Sequence, residues 1–142
     1  MKKDTNPKDA VAIAKPPTTT VPLNVMAEVG VAMLEGARKY GRHNYRVIGV
    51  TAGVYIDATK RHLDSWWEGE DVDPDSDLSH ITKAISSLVV LRDAMLNDMV
   101  MDDRPPKSDV KKHRVYLEKI VAAIFDRHPV SVPSYTEKGN KK

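Results

Sequence analysis

The chain has 142 residues, 41% hydrophobic and 30% charged, which suits one soluble domain with a core and is too short for two comfortable ones. Its 22 Lys plus Arg against 20 Asp plus Glu leave a net charge of +2, a poor footprint for a dedicated nucleic-acid binder, so no stable nucleic-acid partner is expected. The absence of cysteine excludes disulfides, thiolate zinc sites and cysteine nucleophiles, and without a membrane-length apolar run or a signal-peptide core a cytoplasmic location is expected, with no membrane partner.

Residues 1–21 hold Pro7, Pro16, Pro17 and a threonine run with no sustained period, and read as an extended N-terminal arm. A helical core is expected over 22–98. Its first helix starts at Pro22 and runs to a stop at Gly41, with Val25, Val29, Ala32 and Gly36 at helical spacing. "GRHNYRVIG" is a loop, and "YRVIGV" is the only short run with β-branched character. A second helix spans about Thr51 to Trp67, placing Tyr55, Thr59, His62 and Trp66 on one face. Pro74 blocks its continuation, and Ser76 or Asp77 can cap the next helix. That third helix carries Leu78, Ile81, Ile85, Leu88, Leu91 and Met95 in steps of three and four. A linker over 99–107, a C-terminal helix over 108–128 and a flexible tail over 129–142 complete the chain. The fold class is all-α, a four-helix-type bundle with short connections.

The chemistry concentrates in two places. "WWEGEDVDPDSDLSH" packs six carboxylates between Glu68 and Asp77. Asp71, Asp73 and Asp75 alternate as in an EF-hand, but Ser76 and Thr82 stand where that loop needs Gly and Glu. No two histidines have His-x3-His spacing, no His precedes an Asp directly, and no P-loop is present. Helix one offers Glu28 and Glu35, seven apart and on one face. On helix two Asp57, Arg61, Asp64 and Glu68 form a stripe, for which an exposed face with a weak Asp57–Arg61 pair is the simpler reading. The second place is "ARKYGRHNYR". Arg38, Lys39, Arg42 and Arg46 alternate there with Tyr40, Asn44 and Tyr45, a pattern able to hold phosphates and stack a base. Cations favouring a helix C-terminus are the plainer alternative. Inward-facing acids with cations nearby suit Mg²⁺, which prefers oxygen ligands and engages substrate phosphates.

Taken in order, "NPKDAVAIAKPP", "EVGVAMLEGARKYGRHNYR" and "YIDATKRHLDSWWEGEDVDPDSDLSH" resemble the phage-associated dATP/dGTP diphosphohydrolases, small relatives of the MazG-like all-α pyrophosphatases. The resemblance covers roughly residues 6 to 96. It implies Mg²⁺-dependent (Mn²⁺ in its place) hydrolysis of a deoxypurine triphosphate to the monophosphate and pyrophosphate, in the host cytoplasm if the chain is phage-encoded. It also implies a bundle completed by a partner chain, in a homodimer or homotetramer. The superfamily's metal-binding acids are often written ExxE then ExxD. This chain departs from the first half, with Val31 after Glu28 and Arg38 after Glu35, whereas Glu68 and Asp71 fit the second. By that resemblance Glu28, Glu68 and Asp71 are the catalytic acids, and the metal set is Glu28, Glu35, Glu68, Glu70, Asp71 and Asp73. Lys39, Arg42, Arg46 and Lys60 are expected on the phosphates, with Lys8 and Lys15 of the arm closing over the nucleotide. Tyr40, Asn44, Trp66 and Trp67 are candidates for base or sugar contacts, and His80 for orienting a carboxylate or touching substrate. The rival readings are a non-catalytic nucleotide- or metal-binding helical module of a phage, and a structural phage protein whose acidic loop is a solvated interface.

Overall fold

The computed structural model describes residues 6–139. The first five residues of the expected arm and the last three of the expected tail lie outside the described residues. The described residues form five α-helices and four two-residue strands. These are α1 (Pro7–Ala12), α2 (Leu23–Tyr40), β1 (Val50–Thr51), α3 (Ala52–Trp67), β2 (Val72–Asp73), β3 (Leu78–Ser79), α4 (His80–Leu96), β4 (Val100–Met101) and α5 (Val110–Arg127). The all-α class therefore holds. The chain divides into two compact units between Arg104 and Pro105.

In the first unit α4 packs against both α3 and α2. Small side chains make this approach possible: Ala32 on α2, Ala52 on α3, and Ala84 and Ala94 on α4 are all buried. Val50 and Leu91 complete the core, with Tyr45, Tyr55, Val90, Met99 and Val100 packed against it. The six-residue stripe expected on the third helix is not the buried face. Leu91 is buried, but Leu88 is 44% and Met95 49% exposed, while His80, Thr82 and Ser86 are inside. The reason is geometric. A helix wedged between two neighbours turns its small and polar positions toward both, and its large apolar side chains point elsewhere.

The helix ends follow ordinary capping, with shifts from the sequence reading. Pro22 occupies the cap position of α2 rather than its first turn, and α2 ends at Gly41 with φ 94°. The cap of α4 is Ser79, whose hydroxyl accepts from the Ile81 amide at 3.1 Å, not Ser76 or Asp77. Those two residues belong instead to a turn that starts at Asp73. Asp73 accepts the Asp75 amide on its side chain at 3.0 Å, and its carbonyl takes the Ser76 and Asp77 amides at 3.2 and 2.8 Å. Pro74 supplies the fixed φ that such a turn favours after its first residue. The turn closes a small antiparallel hairpin with Val72 opposite Ser79 and Asp73 opposite Leu78.

A second pairing joins distant parts of the chain. β1, at the end of the "YRVIGV" run, lies parallel to β4, with Val50 opposite Val100. Gly49 makes this possible: its φ is 82°, and an added Cβ would stand 2.6 Å from the Met99 carbonyl oxygen. The segment after β4 then caps α3, the Asp103 carboxylate accepting the Gly53 amide at 2.7 Å. The arm is also more structured than the sequence indicates. Asn6 caps α1 by accepting the Lys8 amide at 2.9 Å, and Thr18–Thr20 form a 3₁₀ turn. In the second unit Asp109 caps α5 through the Lys112 amide, so the helix begins two residues later than expected.

Candidate functional site

Two features of the first unit carry reactive side chains. The first is a cleft of about 560 Å³ between α2, α3 and α4, closed at one end by the loop after α2. Its walls are built from small residues, among them Gly30, Gly36, Ala58, Ser86 and Ser87, which leave room that larger side chains would fill. Into it project Glu35, Lys39 and Tyr40 from the last turns of α2, then Arg42, His43, Asn44 and Tyr45 from the loop. From the opposite wall come Tyr55 and His62 of α3, seven residues apart and so on one face, and Lys83 of α4.

Glu35 sits between two ammonium groups. Lys39, one helical turn on, pairs with one carboxylate oxygen, and Lys83 from α4 reaches the other at 2.7 Å. The hydrogen bond from Lys39, and then that from Lys83, holds the Glu35 carboxyl below its ordinary value, while Glu35 raises Lys39. Lys83 is the more enclosed of the two cations, its side chain 18% exposed against 54% for Lys39. Burial pushes the Tyr55 hydroxyl upward, so it is a neutral donor or acceptor in the cleft.

The second feature adjoins the first through His62. His62 Nδ1 and His80 Nδ1 stand 2.9 Å apart, and His80 Nε2 lies 2.6 Å from Glu70 Oε1. A carboxylate oxygen accepts from a ring N–H, so His80 meets Glu70 through Nε2 and faces His62 with Nδ1. Burial, the largest influence, lowers the His62 pKa, and the Asp73 carboxylate opposes it. Asp73, delivered by the hairpin, completes a group with His62 and His80 whose ligand atoms all lie within 4.8 Å of one another. Among the described residues it is the one group of three or more His, Asp or Glu side chains so placed.

The expected site residues are distributed as follows. Lys39, Tyr40, Arg42 and Asn44 line the cleft together with Glu35. Arg46 does not; its guanidinium makes two hydrogen bonds to the Asp93 carboxylate, at 2.9 and 2.8 Å, and ties the loop to α4. Asp73, Glu70 and His80 come together at the second feature. Glu28, Glu68 and Asp71 are exposed and line no part of the cleft. Lys60, Lys8 and Lys15 are likewise exposed and outside it, and Trp66 and Trp67 are 43% and 79% exposed and also outside it. Sequence reasoning gave no role to His62, Lys83 or Tyr55. A usable signal existed for Lys83, a lone cation amid the apolar and small residues of "SHITKAISSL".

Residues 5–104 match the family described as dATP/dGTP diphosphohydrolase, N-terminal. The chain belongs to that family. The match ends where the first unit ends, so the cleft and the His62–Asp73–His80 group both lie inside the dATP/dGTP diphosphohydrolase region. Membership supports a role in hydrolysing deoxynucleoside triphosphates. No curated protein and no solved structure matches the chain.

Proposed function

We propose that this chain hydrolyses dATP and dGTP to the monophosphate and pyrophosphate, with the nucleotide bound in the cleft between α2, α3 and α4. The observation that carries this reading is the placement of Lys39, Lys83 and Arg42 in one cleft with Tyr40, Asn44 and Tyr45, inside the family-matched region. Charge-assisted hydrogen bonds from the three cations suit a triphosphate. The tyrosines offer aromatic faces for a purine, and the Asn44 amide offers both a donor and an acceptor. In the nucleotide-free chain Glu35 holds Lys39 and Lys83 in position. An incoming triphosphate then meets two ammoniums already placed, which reduces the ordering cost of binding.

In the reaction, the oxygen of a water bonds to the α-phosphorus as the bond from that phosphorus to the bridging oxygen breaks. The bridging oxygen leaves with pyrophosphate, and the water's protons pass to solvent and phosphate oxygens. The cations act on the charge that builds on the leaving pyrophosphate. Glu28, Glu68 and Asp71 stand exposed outside the cleft, and Glu35 inside it is engaged by two lysines. In this scheme Mg²⁺, or Mn²⁺ in its place, arrives with the substrate as the metal–dNTP complex.

The test is a panel of the four dNTPs with Mg²⁺, resolved for monophosphate and pyrophosphate by ion-exchange chromatography. Turnover of dATP and dGTP ahead of dCTP and dTTP is expected. Nucleotide-dependent thermal stabilisation without any monophosphate would instead establish the non-catalytic binding module.

A further inference from the structure

We propose that His62, Asp73 and His80 form a binding site for a divalent transition-metal ion of the zinc class, with Glu70 fixing the orientation of His80. Three independent observations converge on it. The two imidazoles face each other through the same nitrogen, Nδ1 to Nδ1, at 2.9 Å. Donors bonded to one ion at about 2.0–2.1 Å stand roughly 2.8–3.4 Å apart, so the pair is already at the spacing a shared ion requires. The far nitrogen of His80 is held by the Glu70 carboxylate at 2.6 Å. Metal-bound histidines characteristically donate their other ring N–H to such a group, which fixes the tautomer and raises the basicity of the ligating nitrogen. Finally, Asp73 is only 8% exposed, yet no lysine or arginine among the described residues forms an ion pair with it. A buried carboxylate without a cation is costly, and a bound ion removes that cost.

The donor set decides which ion. Two imidazole nitrogens and one carboxylate oxygen suit Zn²⁺, Co²⁺ or Fe²⁺, whereas Mg²⁺ and Ca²⁺ prefer oxygen throughout. Three protein ligands leave at least one coordination position for a small oxygen ligand, the pattern of sites that bind something besides protein. The fold supplies each donor from a different element. His62 comes from α3, Asp73 from the Pro74 turn hairpin, and His80 from the first residue of α4. The hairpin's purpose in this reading is to swing Asp73 back between two helices.

The site is read without nucleotide, so its fate is separate from that of the hydrolase reading. Protein stripped with EDTA is titrated with ZnCl₂ and, separately, with MgCl₂ by calorimetry. One equivalent of Zn²⁺ per chain is expected, bound at least tenfold more tightly than Mg²⁺. Glu70→Gln should weaken Zn²⁺ about 10- to 100-fold, and His62→Ala should abolish stoichiometric uptake while circular dichroism stays unchanged. In the unmutated protein, Co²⁺ should shift the imidazole NMR signals of His62 and His80 and leave those of His43, His113 and His128 in place. Absence of stoichiometric Zn²⁺ uptake would overturn the proposal and leave a Glu70–His80–His62 hydrogen-bond chain. So would Co²⁺ shifts confined to the other three histidines, or Zn²⁺ affinity equal to that for Mg²⁺.

Discussion

Glu35 bridges two lysines from different helices, so its ionisation is coupled to the docking of α2 on α4. Its folded pKa lies below the ordinary value of 4.5 because the Lys39 and Lys83 hydrogen bonds favour the charged form. A lowered carboxylate contributes stability that is fully present above its unfolded pKa and is lost as pH falls through the folded value. Melting temperatures of the wild-type chain and Glu35→Gln should therefore differ most near neutrality and converge below pH 4.5. A constant gap across that range would refute the coupling. Lys83 is the better test of phosphate binding, being the more enclosed cation. Lys83→Met should lower kcat/KM for dGTP about tenfold or more, since a charge-assisted contact contributes roughly 1.5–3 kcal/mol and about 1.4 kcal/mol is one decade. A normal kcat/KM with a lowered melting point would reduce Lys83 to a structural partner of Glu35. The basic loop and the acidic cluster were legible in sequence because both are local. Lys83 and His62 were not, because their partners stand 48 and 18 residues away along the chain. Searching for His-x3-His tests only donors on one helix, and this pair sits on two.

The long helices were visible from their three-and-four periodicity, and α3 and α5 begin within two residues of the expected positions. Two-residue strands leave no period to read, so the β2–β3 hairpin escaped notice and β1 showed only as the β-branched end of "YRVIGV". Their positions depend instead on turn chemistry and on single glycines. Gly49 and Gly69 both have positive φ, 82° and 104°, but only Gly49 faces a neighbouring backbone atom. Gly69→Ala should carry the cost of the left-handed conformation alone, about 1–2 kcal/mol. Gly49→Ala adds a collision with the Met99 carbonyl and should melt several degrees lower than Gly69→Ala in the same buffer. Equal melting points would mean that the β1–β4 pairing yields at little cost.

No large side chain among the described residues is fully buried, which is unusual for a folded helical unit of this size. On α2, Val31 and Leu34 are more than half exposed, and on α4 Leu88, Val89 and Met95 are 40–49% exposed. Clusters of that kind on a helical bundle mark surfaces that associate. Size-exclusion chromatography with light scattering should give the mass of a dimer or tetramer, and Leu88→Lys with Met95→Lys should shift it toward the monomer. A monomeric wild-type mass at micromolar concentration would remove the case for self-association. Among the described residues no helix is long and apolar enough to cross a membrane.

The parallel pair of β1 and β4 has a consequence for the order of assembly. It joins Val50 to Val100, and closing an open loop of that length costs roughly 3–4 kcal/mol in chain entropy. The α3–hairpin–α4 segment lies wholly inside that loop and shortens it once its two helices meet. Forming the helical pair first thus brings the two strands within reach, and the clasp closes late. The same hierarchy runs backward when the native chain fluctuates, because two strand residues release far less buried surface than two helices do. The loop carrying Arg42, Asn44 and Tyr45 leads directly into the clasp, so opening the clasp would loosen one wall of the cleft and leave the Arg46–Asp93 tie and Tyr45 to hold it.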